Sequence, residues 1–288
     1  MGDGMKVMIT GVRGMLGRDL FSVLEPDHEV YGFDIDDFDI VDESETSRQT
    51  LKIGPDVIFH LAAYTDVDGS EDNRERAFQV NAIGSQNVAR AARNAASHLI
   101  YLSTDYVFDG TKGEPYVESD EPSPINYYGL TKLYGELYVA ELALHHLIVR
   151  TSWLFGPNGK NFIDTIVTKA EDGEKLRVVN DQTGCPTYTL HLARALRTVM
   201  ERRLEGIVHI TNSGSTTWYD LAAYAVSAAG IDAQIEPVST SEYPRRAKRP
   251  TYSVLSNSVL QSHGIPALPS WQEGVKDHLR RRNKLKKE

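Results

Sequence analysis

Short apolar runs rich in Val and Ile alternate along the chain with longer segments whose apolar residues recur at helical spacing. The runs are KVMIT at Lys6–Thr10, EVYGFD at Glu29–Asp34, DVIFHLAA at Asp56–Ala63, LIYLST at Leu99–Thr104 and HLIVRTSWLF at His146–Phe155. Residues 14–25, 74–95 and 126–145 lie between them and read as amphipathic helices. The strand-like runs are continuously apolar, as expected of strands buried on both faces. This rhythm predicts an α/β fold in which a parallel sheet is covered by helices on both sides. Beyond residue 155 the pattern loosens to a helix near 160–172, a strand at Leu176–Val179 and shorter elements. The expected division is residues 1–155 as a sheet domain and 156–288 as mainly a smaller lobe interleaved with it.

The first run ends in TGVRGMLGRDL, with Gly11, Gly14 and Gly17 at the junction of strand and helix. Glycines there let the backbone turn tightly and approach a pyrophosphate, while the helix N-terminus supplies free N–H groups and a positive dipole end. About 20 residues later an acid, Asp34, ends the second strand, where a carboxylate accepts from an adenosine ribose hydroxyl. Together these features predict a Rossmann-type, doubly wound dinucleotide fold. The spacing is G-x-x-G-x-x-G rather than G-x-G-x-x-G.

With a nicotinamide cofactor beside it, NYYGLTKLYGE at Asn126–Glu136 acquires a chemical purpose. Tyr128 and Lys132 lie one helical turn apart. A free phenol titrates near ~10, and a neighbouring ammonium favours the phenolate and draws that value toward working pH. Reduction of a ketone needs such a proton donor. It also needs a hydroxyl to hold the carbonyl oxygen, and Ser103 and Thr104 stand at the carboxyl end of a strand, where ligands of open α/β sheets bind.

Composition narrows the remaining classes. The chain has 288 residues, 41% of them hydrophobic, and a net charge of −9, which disfavours nucleic acid as the main partner. No apolar stretch approaches the ~18 residues of a membrane span, so a cytoplasmic location is expected. The lone Cys185 excludes an internal disulfide and reads as packing rather than as a reactive thiol. The basic run RRRNKLKK at Arg280–Lys287 reads as a solvated helix end.

TGVRGMLG, LAAYT, STDYVFDG, YYGLTK, RTSWLFG, DQTGCPT and KRPTYSVLS follow one another from about residue 5 to 260. The set resembles the dTDP-4-dehydrorhamnose reductases, in the extended branch of the short-chain dehydrogenase/reductases. STDYVFDG and DQTGCPT mark that group; the related 4,6-dehydratases usually carry an Asp-Glu pair after the threonine, whereas here Asp105 precedes Tyr106.

The resemblance implies Tyr128 as proton donor, Thr104 as partner of the carbonyl oxygen, and Lys132 as both tuner of Tyr128 and donor to the nicotinamide ribose. It implies cofactor contacts from Gly11, Arg13, Gly14, Met15, Leu16 and Gly17, from Asp34, Asp39 and Ile40, and from Leu61, Ala62, Ala63 and Tyr64. Asp105, Trp153, Gln182 and Arg249 would meet the nucleotide sugar, although RRAKRP at Arg245–Pro250 offers several cations for one diphosphate. Departures are Cys185, where the group usually has Ser or another small residue, and His60 and Leu61, which bear on the cofactor pocket. Some relatives dimerise around a magnesium ion, so a homodimer is an expectation; no matching carboxylate cluster is evident and no metal is assigned.

The implied activity is NAD(P)H-dependent reduction at C4 of dTDP-4-dehydro-L-rhamnose. Asp34 favours NADH, whereas Arg13 could pair with the 2′-phosphate of NADPH; the balance leans to NADH. Two alternatives stay open: another nucleotide-sugar 4-ketoreductase or epimerase, and a non-catalytic regulatory subunit like that of methionine adenosyltransferase.

Overall fold

A computed structural model of the chain describes residues 4–285. Its centre is a six-stranded, wholly parallel sheet. In chain order it is built from β1 (Lys6–Thr10), α1 (Met15–Leu24), β2 (Glu29–Phe33), α2 (Glu43–Ile53), β3 (Val57–His60), α3 (Ser85–Asn94), β4 (His98–Thr104), α4 (Tyr127–Leu142) and β5 (His145–Thr151). Then come α5 (Phe162–Glu171), β6 (Leu176–Val179), α6 (Thr189–Glu201), β7 (Gly206–His209), α7 (Trp218–Ala228), β8 (Ile235–Val238) and α8 (Trp271–Leu285). The strand order is β7-β5-β4-β3-β1-β2, with β1 in register against β2 from Lys6↔Glu29 and against β3 from Val7↔Val57.

Side chains along a strand point alternately to opposite faces, and both faces are covered. Val7 and Ile9 pack with Leu20 and Leu24 of α1 and Leu192, Leu196 and Val199 of α6. Met8 faces the other way and joins Val88, Ala89 and Ala92 of α3 and Val139 of α4. Each fully buried aliphatic side chain contributes roughly 1.5–3 kcal/mol of transfer free energy. A strand of alternating polarity would forfeit half of that, which is why these strands read as unbroken apolar runs.

The structure departs from the expected elements in three places. Helix α2 lacks an apolar stripe, burying only Thr46 and Thr50; it is set by its ends, with Asp42 accepting from the Glu45 N–H at 3.0 Å and Gly54 closing it at φ 59°. Segment 74–95 is not one helix but Arg74–Phe78, a π-helical turn at Gln79–Gly84, and α3. Such turns often mark functional sites, and this one carries Asn81, whose amide bonds the Tyr64 N–H, the Tyr64 carbonyl and Thr131 Oγ1 at 2.7–3.1 Å. The last long strand ends at Thr151; Trp153 then takes φ 47° and turns the chain into a short strand, Leu154–Phe155.

Beyond residue 155, β7 adds to the edge of the main sheet beside β5, and α6 covers the face shared with α1. Helices α5, α7 and α8 form a separate core around Val167, Leu221 and Val275, and β6 pairs in parallel with β8. The basic run on α8 is not simply solvated: Arg281 pairs with the fully buried Asp19 of α1 at 2.7 Å, and Arg282 with Glu171 at 3.1 Å. Lys286 and Lys287 lie outside the described residues. No described helix is long and apolar enough to cross a membrane.

Candidate active site

The three glycines after β1 divide the work of the cradle. Gly11 takes φ 77°, and a Cβ there would stand 2.7 Å from the Ala62 nitrogen; a Cβ on Gly17 would meet the Gly11 carbonyl at 2.3 Å. Neither position admits a side chain. Gly14, by contrast, faces a cleft of about 490 Å³ and is the N-cap of α1, with no side chain capping the helix and no acid in its first turn. Uncapped N–H groups and a bare positive dipole end suit a diphosphate. Arg13, Asp34, Asp39, Ile40, Leu61, Ala62, Ala63 and Tyr64 line the same cleft, so most of the expected cofactor residues do converge. Leu16 packs into the sheet core, and Met15 lies against Gly159, so their side chains turn away from it.

The acidic end of this cleft is a closed circuit. Asp34 accepts from the Arg13 N–H at 3.0 Å and from the Ile35 N–H at 2.9 Å. The Arg13 guanidinium pairs with Asp36 and lies 3.7 Å from Asp37, while Arg76 pairs with Asp39 at 3.1 Å. His60 does not line the cleft. Fully buried, it bonds Thr10 Oγ1 at 2.8 Å and Ser85 Oγ at 3.0 Å, and burial, with Lys132 adding to the effect, pushes its pKa down to about 3.

At the carboxyl end of β4, Thr104 Oγ1 accepts from the Tyr106 N–H and donates to Asp105 Oδ1, both at 3.1 Å. The other Asp105 oxygen has no hydrogen-bond partner, and burial raises this carboxyl to about 7. Helix α4 begins at Asn126, whose side chain accepts from the Gly129 N–H at 2.8 Å. A Cβ at Gly129 would lie 2.0 Å from the Tyr106 carbonyl, so this glycine lets the helix press Tyr128 against the Thr104–Tyr106 turn. The rings of Tyr128 and Tyr106 meet edge to face at 6.1 Å.

The Tyr128 phenol is held above its ordinary pKa, first by burial and then by the Asp105 carboxylate, with a hydrogen bond to Thr104 opposing. That direction is opposite to the one expected from its spacing to Lys132. The reason is geometric: Lys132 Nζ lies over the Tyr101 ring, 4.1 Å from its centroid, and burial lowers the ammonium to about 7 while Glu136 opposes the shift. One turn further along α4, Glu136 is clamped by Arg150 at 2.7 Å and 3.0 Å and accepts from Ser103 Oγ. Ser103, a candidate for the carbonyl partner, is thus committed to this buried pair.

A second cleft of about 570 Å³ adjoins Tyr106. Five cations line it, Lys169, Lys175, Arg177, Arg245 and Arg249, with Phe162, Trp218 and Tyr243 as aromatic faces and Gln182 among the polar groups. Flat rings beside clustered cations suit a nucleobase joined to a diphosphate. Trp153 is not on this lining; its ring stacks on Trp218 at 3.6 Å and lies against Gly184.

A family model described as the RmlD substrate binding domain matches residues 5–283. The chain belongs to that family. A dTDP-4-dehydrorhamnose reductase of Sinorhizobium fredii is 36% identical over 94% of this chain and 96% of its own length. A dTDP-4-keto-6-deoxy-D-glucose reductase of Streptomyces niveus is 37% identical over 92% of this chain and 93% of its own. Among solved structures, the dTDP-4-dehydrorhamnose reductase of Bacillus anthracis in complex with NADP superposes with a TM-score of 0.95 at 39% identity, covering 96% of this chain and 99% of that one.

Sequence reasoning missed Asp68, Phe162, Lys169, Lys175, Arg177, Trp218 and Tyr243 on the lining of the second cleft. Phe162 and Lys169 share one face of α5 and Lys175 and Arg177 flank the start of β6, but these pairs, Asp68, Trp218 and Tyr243 come from segments far apart in the chain. Only the density of cations in Arg245–Pro250 signalled that wall. Cys185 is buried, and burial raises its thiol to about 11, which fits the expected packing role.

Proposed function

We propose that this chain is a nicotinamide-dependent reductase of a nucleotide-linked 4-keto-6-deoxy sugar, acting at C4 of dTDP-4-dehydro-L-rhamnose. One arrangement carries the reading: the chain holds both a glycine cradle that fits a dinucleotide and a cationic, aromatic cleft that fits a nucleoside diphosphate, and Tyr106 on the wall of the second meets the Tyr128 ring edge to face. In this reading residues 1–155 mainly hold the dinucleotide and 156–288 mainly the sugar nucleotide.

The Gly11–Gly17 loop, Asp34, the Leu61–Tyr64 segment and Lys132 would hold the dinucleotide, which supplies a hydride when bound. The chain's own work is protonic. Tyr128 keeps its proton until negative charge develops on the ketone oxygen, because burial and Asp105 both disfavour the phenolate. It then donates to that oxygen. The hydroxyl of Thr104, which donates to Asp105, would turn toward the same oxygen. Of the two dinucleotides we assign NADH as preferred: Asp34 suits a ribose hydroxyl, and Arg13 is already engaged by Asp36 and Asp37 rather than free for a 2′-phosphate.

The test is oxidation of NADH that depends on added 4-keto sugar nucleotide. Tyr128→Phe should lower turnover by about 10²–10⁴ while leaving dinucleotide affinity unchanged. Near-normal turnover in that variant would remove Tyr128 from the mechanism. Binding of both ligands by the wild-type protein without any turnover would favour a regulatory role.

A further inference from the structure

The second cleft contains one carboxylate among its described lining residues, and it lies where an anion should dock. Asp68 sits on the segment that follows β3, beyond the Ala62–Tyr64 wall of the dinucleotide cleft. Its Oδ1 accepts from Arg249 Nη1 at 2.6 Å and from the Ala247 N–H at 3.1 Å; its Oδ2 accepts from Arg249 Nη2 at 2.9 Å and lies 3.9 Å from Arg245. Two flanking contacts hold the segment in place. Asp72 pairs with Arg246, and Glu71 accepts from the Tyr127 N–H at 2.8 Å, at the start of the helix that carries Tyr128.

A carboxylate so placed has two opposed effects on an incoming diphosphate. It cancels one of five positive charges, which weakens attraction. It also fixes a guanidinium whose planar fork is useful only when correctly aimed. Of the five N–H donors of Arg249, Asp68 takes two and the Ala247 carbonyl a third at 2.6 Å. The remaining two are the Nε–H and the second Nη2 hydrogen, and the guanidinium also contacts the Tyr106 side chain on the wall of the cleft. Arg249 is only 16% exposed, so its alternative orientations are already restricted, and the bidentate pair selects among the few that remain. Repulsion from a carboxylate already neutralised by that pair is small beside the cost of an Arg249 turned away.

We propose that Asp68 is a positioning residue for nucleotide-sugar binding, holding the Arg249 fork toward the diphosphate site. The inference rests on the reductase reading. It makes a prediction whose sign distinguishes orientation from charge: removing this acid from a cationic cleft weakens anion binding.

The experiment is titration with dTDP of wild type, Asp68→Asn, Arg249→Lys and the double variant, by calorimetry at fixed salt, with NADH affinity measured alongside. Asp68→Asn should weaken dTDP binding by about tenfold, raise the KM for the sugar nucleotide with kcat nearly unchanged, and leave NADH affinity intact. Arg249→Lys should lose as much, and the double variant no more than either alone. Asp68→Glu should recover part of the loss. Equal or tighter dTDP binding by Asp68→Asn overturns the proposal, as do fully additive losses in the cycle. If Asp68→Asn fails to fold, Asp68→Glu carries the test: dTDP affinity equal to or tighter than wild type overturns the proposal, and a loss that disappears in the Arg249→Lys background sustains it. Failure of wild type to bind dTDP at all overturns the reductase reading and the proposal with it; normal wild-type binding with an indifferent Asp68→Asn overturns the proposal alone.

Discussion

Glu136→Gln probes the buried ion pair beneath the active site, and its cost can be worked from the geometry. Glu136 and Arg150 are 3% and 2% exposed, and the guanidinium reaches the carboxylate at 2.7, 3.0 and 3.3 Å. Removing one partner of such a pair leaves an uncompensated buried charge and typically costs about 3–5 kcal/mol. Arg150 keeps the Glu118 carbonyl at 3.5 Å and the Phe108 face at 5.1 Å, so the lower end, about 3 kcal/mol, is expected. For a chain of this size about 2 °C of melting temperature accompanies each kcal/mol, giving a fall of about 6 °C. Glu136→Gln/Arg150→Met should recover most of it, because neither partner of the pair is then left as an unpaired buried charge. Calorimetric melts of the four proteins at one pH make the measurement. A single variant within 1 °C of wild type, or a double variant at the sum of both single losses, would refute the reasoning.

Two further outcomes follow from the charges around the cofactor cleft. Burial places the folded-state pKa of Lys132 at about 7, below its ordinary 10.5, so between those values the unfolded chain binds more protons and stability rises with pH. Lys132→Met should therefore be more stable than wild type near pH 7, with the difference shrinking toward pH 10; a constant difference across melts at those pH values would contradict the shift. On the cofactor, kcat/KM should favour NADH with measurable NADPH use, and Asp34→Ala should erode that preference. A tenfold advantage for NADPH that Arg13→Ala abolishes would show that the arginine leaves Asp36 and Asp37 for the phosphate.

The sheet was legible in the sequence because burial on both faces imposes one simple pattern: each of the five expected runs overlaps a strand of the main sheet, with β4 and β5 starting one residue earlier, at His98 and His145, while the sixth strand, β7, was not among them. Helix α2 was not, since its identity lies in Asp42 and Gly54 at its ends rather than in an apolar stripe. The π turn around Asn81 was hidden for a related reason: its sequence QVNAI is compatible with a regular helix, and what marks it is a side-chain bond to Tyr64, 17 residues away. Within the site, the glycine cradle and the Tyr128–Lys132 turn are local, so spacing revealed them. The second cleft assembles Lys169, Arg177, Trp218 and Arg249 from four separate segments, and no local spacing encodes such a wall.

Spacing alone does not give the charge state of the Tyr128–Lys132 turn. A lysine one turn after a tyrosine predicts a phenol drawn toward working pH, yet burial moves all three groups toward neutrality: Asp105 up to about 7, Lys132 down to about 7, and Tyr128 above its usual value. The common cause is removal of water, which penalises an ion of either sign. The raised value makes the phenol a weaker acid that holds its proton firmly, and a positive charge brought close to its oxygen would bring it back toward working pH. Asp105 sharpens the same effect. When ionised it raises the phenolate's energy, and when protonated near neutral pH it removes that repulsion as Tyr128 gives up its proton. Glu136, one turn beyond Lys132, favours the ammonium against burial. Tyr128, Lys132 and Glu136 recur at four-residue intervals along one helix, and the third opposes the discharge of the second by burial; Lys132 stands over the Tyr101 ring, so the shift of the Tyr128 phenol is set by burial and Asp105 instead.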